Sequence, residues 1–247
     1  MAAQKESFRV AQIRSSEAGE AYCLHQPSAA DDSHIWPRTA EELKALANDG
    51  CLFGVWRASR EVVALVYMKL DGNLWELGGL TVDSSVQKNG IGTVLARFAL
   101  ANTIVYQQPW QNGQEVIAHV HEANQSPRNL LVRLGFEHAK PVEVPGDVAP
   151  ASMKRNAAGK VVGDRFRFTP DGLRSLSRWF NDEFDGTLGR TSDVVEFDLT
   201  PRYHRGSQRS SCRNRASYAA SLNTLKGRKR LLTHFLPLLG VLGASAV

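Results

Sequence analysis

The chain has 247 residues, 43% of them hydrophobic and 22% charged, enough for one large domain or two small ones. Those proportions exclude a wholly disordered, collagen-like or multi-span membrane chain. The formal net charge of +5 is unevenly divided. Residues 1–200 hold 21 Lys and Arg against all 25 Asp and Glu, a net of −4, while residues 201–247 hold nine basic residues and no acid. An acidic body thus bears a basic tail. Three dispersed cysteines, Cys23, Cys51 and Cys212, give neither a disulfide framework nor zinc-ligand spacing, so a reducing compartment and no metal are expected. The first residues lack the apolar stretch of a signal peptide, and a cytoplasmic location follows as the expectation.

In chain order, Phe8 to Ile13 alternates apolar and polar residues as a short strand, and Ser16 to Gln26 reads as a weak helix. Thr39-Ala40-Glu41-Glu42 is a capping box opening a helix that ends near Asn48-Asp49-Gly50. Cys51 to Trp56, Glu61 to Leu70 and Leu74 to Val82 are β-rich runs separated by turns, an antiparallel meander. Ile91 to Val105 has helical apolar spacing, and Gln114 to His121 is a further strand. A helix over Ser126 to Leu134 ends at Gly135, after which Phe136 to Val144 is extended and Pro145 to Asn156 is loop. Thr169-Pro170 starts another helix carrying Leu173, Leu176, Trp179 and Phe180, and Asp193 to Leu199 reads as the closing strand.

The chemistry concentrates in Gln87-Lys88-Asn89-Gly90-Ile91-Gly92, a Q-x-x-G-x-G turn between a strand and an amphipathic helix. Its glycines admit close backbone approach, and the helix start offers unpaired amides and a positive dipole end to a pyrophosphate. A Walker loop would end in Gly-Lys-Ser/Thr and a dinucleotide fingerprint would carry a third glycine; both are absent here. Gly78-Gly79, inside an otherwise apolar strand, predicts a bulge.

Three segments in order, Leu74 through Val82, the Q-x-x-G-x-G turn, and Asn124 through Leu134-Gly135-Phe136, resemble the GNAT superfamily of acyl-CoA-dependent N-acetyltransferases. The resemblance covers residues 8–144, with Asp193–Leu199 as the last strand. It implies an α/β fold of the α+β type: a mixed, mostly antiparallel sheet, splayed between its fourth and fifth strands and flanked by helices. It also implies acetyl transfer from acetyl-CoA, as co-substrate, to a primary amine of a small molecule or peptide, by direct attack in a ternary complex. Amides around Gln87, Lys88, Asn89, Gly90, Ile91, Gly92 and Thr93 would hold the pyrophosphate. The backbone of Leu80, Thr81 and Val82, with Asn124, would hold the pantetheine arm. Glu76 matches the position of the family's glutamate base, and apolar neighbours Leu74, Trp75 and Leu77 are expected to raise its pKa. The tyrosine that usually protonates the thiolate is replaced by Leu131, leaving an inactive acyl-CoA-binding module as the alternative. His119 and His121, on one face of the fifth strand, are the other proton-relay candidates.

The expected organisation is one domain over 7–200, with 145–192 an insertion bearing an extra helix, and a disordered tail over 201–247 that is first basic and then apolar. Nucleic-acid or membrane contact through that tail, and a homodimer, are weaker partner expectations. The acidic body slightly favours a cationic amine.

Overall fold

The computed structural model describes residues 6–145, 148–184, 187–190 and 193–199; the basic and apolar tail expected over 201–247 lies outside them. Nine strands form one sheet: β1 (Glu6–Gln12), β2 (Leu52–Arg57), β3 (Val62–Asp71), β4 (Leu74–Val82), β5 (Glu115–His121), β6 (Phe136–Val144), β7 (Val161–Phe168), β8 (Thr187–Arg190) and β9 (Asp193–Leu199). Their order is β6-β7-β5-β4-β3-β2-β1-β9-β8, antiparallel except for the β4–β5 and β1–β9 pairs. The helices are α1 (Ala18–Asp31), α2 (Ala40–Asn48), α3 (Ile91–Gln107), α4 (Gln125–Leu134) and α5 (Pro170–Arg178).

The meander β2-β3-β4 forms as its alternation and turns demand. Its two faces bury different partners. Phe53, Val55, Val66 and Leu77 join the α3 side of the core, whereas Leu52, Leu65 and Tyr67 join α1 and α2 residues such as Ala21 and Leu43. Helix α3 is the central pillar, with Val94, Leu95, Phe98 and Leu100 almost fully buried. Each such side chain contributes about 1.5–3 kcal/mol on burial. The helix ends at Gln108, which takes the left-handed conformation just before Pro109. The capping box at Thr39 closes as expected: Glu42 N donates to Thr39 Oγ1 at 3.1 Å and Thr39 N to Glu42 Oε2 at 2.8 Å.

Two expectations need correction. Helix α1 runs through Pro27 to Asp31, past the expected end at Gln26. Asp193–Leu199 is a strand, but it pairs with β1 at the opposite edge, parallel from Glu6↔Val195 to Val10↔Leu199. The place beside β5 belongs to β7, which lies inside the segment read as an insertion and is antiparallel to both β5 and β6. It is held there by Phe166 and Phe168, buried against the main core. The signal was present in Val161-Val162-Gly163-Asp164-Arg165-Phe166-Arg167-Phe168, but two arginines and an aspartate interrupt its apolar alternation. Asp164 is buried because Arg128 and His138 (2.8 Å) both bond its carboxylate.

Candidate active site

Strands β4 and β5 pair only over Leu74↔Glu115, Trp75↔Val116 and Glu76↔Ile117, although both continue beyond that point. They part after Glu76. The expected bulge accompanies the parting: the β3–β4 register shifts between Leu65 and Tyr67, and Gly79 adopts φ +63°. A Cβ on Gly78 would lie 2.6 Å from Tyr67 Cζ, and one on Gly79 would also strike the Tyr67 ring. Glycine is therefore required at both positions.

On the other side of β4 an open cleft of about 2170 Å³ runs from α1 past the end of β4 to the start of α4. All the residues expected to hold a coenzyme line it: Leu80, Thr81, Val82, Gln87 through Thr93, and Asn124. The turn that forms its floor is built by local chemistry. Asp83 caps a short 3-10 turn by accepting from Ser85 N at 2.9 Å, and Gln87 Nε2 donates to Val82 O at 2.9 Å. Lys88 (φ +67°) and Gly90 (φ +79°) are both left-handed. Thr93 N and Val94 N close back on Gly90 O at 3.0 and 3.1 Å. The amides of Lys88, Asn89, Gly90, Ile91 and Gly92 have no acceptor among the described residues. They sit at the positive end of a 17-residue helix. Strain at a non-glycine residue such as Lys88 is the kind that accumulates at ligand clamps. Coenzyme A, with its pyrophosphate and extended arm, fits these residues.

Two coenzyme candidates do something further. Asn124 makes no side-chain cap on α4, so its amide remains available to the cleft. Thr81 is 3% exposed and its hydroxyl bonds His25 Nδ1 at 3.1 Å. His25, fully buried in α1, also donates from Nε2 to Trp36 O at 3.3 Å. Burial lowers its pKa and keeps it neutral. This histidine ties α1, β4 and the α1–α2 loop together, a role that no sequence spacing announces.

Glu76 stands on the sheet face away from α3, half-buried. His119 Nδ1 donates to its Oε1 at 3.0 Å, and Arg165 Nε donates to His119 Nε2 at 3.1 Å. Arginine only donates, so Nε2 is the accepting atom of that contact. Burial pushes the Glu76 carboxyl up, but the His119 hydrogen bond and the charges of Arg38 and Lys69 outweigh it and leave the pKa below the ordinary carboxylate value. The apolar neighbours thus do not raise it: Trp75 and Leu77 point to the other face. His121 is placed differently from His119. It is buried, its Nε2 donates to Lys154 O at 2.9 Å, and its Nδ1 accepts from Ala123 N at 3.1 Å. Both nitrogens serve the backbone, so it holds the 148–160 loop and relays no proton.

Leu131, where the family's tyrosine would stand, is buried in the core. A phenol does lie beside the bulge. Tyr67, 3% exposed, accepts from Arg38 Nη2 at 2.8 Å, and its own proton has no acceptor among the described residues. Burial raises its pKa, which keeps that proton in place. No sequence spacing singles out Tyr67; only the bulge brings it beside Gly78 and Gly79.

Comparison with known proteins agrees with this geometry. Residues 53–143 match the family of FR47-like proteins, a span from β2 to β6 that includes the glycine turn before α3. Among solved structures, a protein of Acinetobacter baylyi named as an acetyltransferase aligns with TM-score 0.50 at 12% identity, over 68% of this chain and 94% of the other. The ribosomal-protein-S5-alanine acetyltransferase of Vibrio fischeri aligns at 0.48 and 18% identity, over 68% and 96%. The ribosomal-protein-S18-alanine N-acetyltransferase of Escherichia coli aligns at 0.46 and 16%, over 65% and 92%. No curated protein matches the sequence. The fold is that of the GNAT superfamily: a mixed sheet that parts between its fourth and fifth strands beside a glycine turn opening a helix. The resemblance carried by the three sequence segments is borne out.

Proposed function

We propose that the protein is an N-acetyltransferase that moves an acetyl group from acetyl-CoA to a primary amine by direct attack in a ternary complex. The observation that carries this reading is the coincidence of two features on β4: free amides at the start of α3, and a carboxylate at the point where β4 and β5 part. Acetyl-CoA supplies an activated thioester. The amides of Lys88 through Gly92 hold its pyrophosphate, and the backbone at Leu80 and Val82 lies along its arm.

Glu76, ionised at neutral pH, pairs with the incoming ammonium and takes its proton through Oε2, directly or by way of water, since Oε1 is engaged by His119. The amine nitrogen then bonds to the acetyl carbon as the carbon–sulfur bond breaks. Tyr67, whose hydroxyl proton has no acceptor among the described residues, gives the departing thiolate its proton, and the second proton shed by the acylated nitrogen restores the phenol. Among the described residues no cysteine sits at the parting of β4 and β5: Cys51 is buried with its pKa pushed up to about 12, and Cys23 lies on α1. A covalent acyl-enzyme has no nucleophile there.

The buried Leu131 favours one rival reading, an acyl-CoA-binding module without turnover. Thiol release from acetyl-CoA, measured across a panel of amines, decides between them. Glu76→Gln should lower kcat/KM on the order of 10²–10⁴-fold while coenzyme affinity holds. Coenzyme binding with no amine-dependent thiol release by the unaltered protein would establish the rival.

A further inference from the structure

We propose that the amine acceptor is a small zwitterion, a primary amine carrying a carboxylate a few bonds away, seated over His119 between Glu76 and Arg165. This rests on the acetyltransferase reading and names the substrate class of that same site.

Registers put the participants on one face. Arg165 of β7 pairs with His119 of β5, and Arg167 with Ile117, which in turn pairs with Glu76. Arg165 spends only Nε, on His119; neither Nη nitrogen has a partner among the described residues. Arg167, exposed, forms no ion pair there, and its register partner Glu137 makes no bridge to it. Lys69 stands opposite Glu76 and has no ion pair among the described residues. Arg38, Arg57 and Arg128, by contrast, are paired with Glu42, with Glu6 and Glu61, and with Asp164. Beside Glu76 the face thus presents the guanidinium of Arg165, with Arg167 and Lys69 on neighbouring register positions.

An unpaired guanidinium offers a planar fork that matches a carboxylate with two parallel hydrogen bonds. Glu76 stays ionised and attracts an ammonium. Two hydrogen bonds and one imidazole ring, together about 8 Å, separate these anchors. Each anchor reaches its ligand by a further ~3 Å, which brings the ligand's two charges within a few bonds of each other. His119 sets the spacing because it is bonded to both anchors.

The test uses the full chain, acetyl-CoA, and matched acceptors: α-, β- and γ-amino acids against the carboxamide of each. At least one amino acid should exceed its carboxamide in kcat/KM by about tenfold or more. In Arg165→Gln that ratio should fall toward one, chiefly through KM, and Arg165→Lys should keep part of it. Calorimetric binding of coenzyme A checks that each variant is folded. Carboxamides used as well as amino acids by the unaltered protein, or a ratio unmoved in Arg165→Gln, would overturn this inference alone. If Arg165→Gln does not fold, the unaltered protein's ratio and that of Arg165→Lys decide. Coenzyme binding without thiol release for any amine would overturn the transferase reading and this inference with it.

Discussion

The hydrogen bond between His119 and Glu76 decides what kind of base the carboxylate is. Burial alone would favour the neutral acid; the imidazole and two nearby cations reverse that sign. A group whose folded pKa lies below its unfolded value adds stability above the unfolded pKa, lost as pH falls through the folded one. Glu76 therefore stabilises the protein at neutral pH and stops doing so in acid. Removing the imidazole leaves burial less opposed. In His119→Ala the Glu76 carboxyl should titrate at higher pH than in the unaltered protein, and the acid limb of kcat/KM that Glu76 governs should move the same way. Carbon-13 NMR titration of that carboxyl checks the first, and a pH–rate profile the second. An unmoved titration would mean that Arg38 and Lys69 alone set the value. The same reasoning separates two histidines that look equivalent in sequence. His119 is bonded to side chains across three strands, whereas His121 is spent on main-chain groups.

At the scale of elements, the parting of β4 from β5 depends on two adjacent glycines. Gly79 is left-handed, and an alanine there costs about 1–2 kcal/mol from backbone alone. Contact with the buried Tyr67 ring adds to that cost. Gly79→Ala should lower unfolding free energy by about 2–4 kcal/mol, measured by urea denaturation, and weaken coenzyme binding as β4 shifts. Gly72, with φ +59° but open space around it, is the control: its alanine variant bears the backbone cost without the clash. Much of this scale was legible in the sequence, because capping box, meander, glycine turn and amphipathic helix each have local signals. What escaped was long-range. Strand β7 carries polar residues: Arg165 and Arg167 lie on the face away from the main core, and Asp164 is satisfied from α4 and β6. The side of the sheet to which β9 adds has no local signature. Tyr67, His25 and Arg165 look ordinary until strand register brings Gly78, Thr81 and His119 beside them.

At the scale of the molecule, the cleft proposed for the coenzyme and the face proposed for the acceptor are assembled from residues no later than Arg167. Strand β9 adds to β1, separated from β4 by β2 and β3. A chain ending after Leu199 keeps every residue assigned a role here and removes nine basic residues without an acid. At 0.15 M salt, charges more than about 8 Å apart are largely screened. The truncated chain should therefore match the full one in kcat and in coenzyme affinity at that salt, compared by thiol release and calorimetry. At low salt the two should diverge in KM for an anionic acceptor, because the truncated chain loses a net charge of +9 and with it electrostatic attraction. A large loss of kcat at 0.15 M would show instead that the tail reaches the catalytic face, and residues beyond Leu199 would then have to be counted among those that build it.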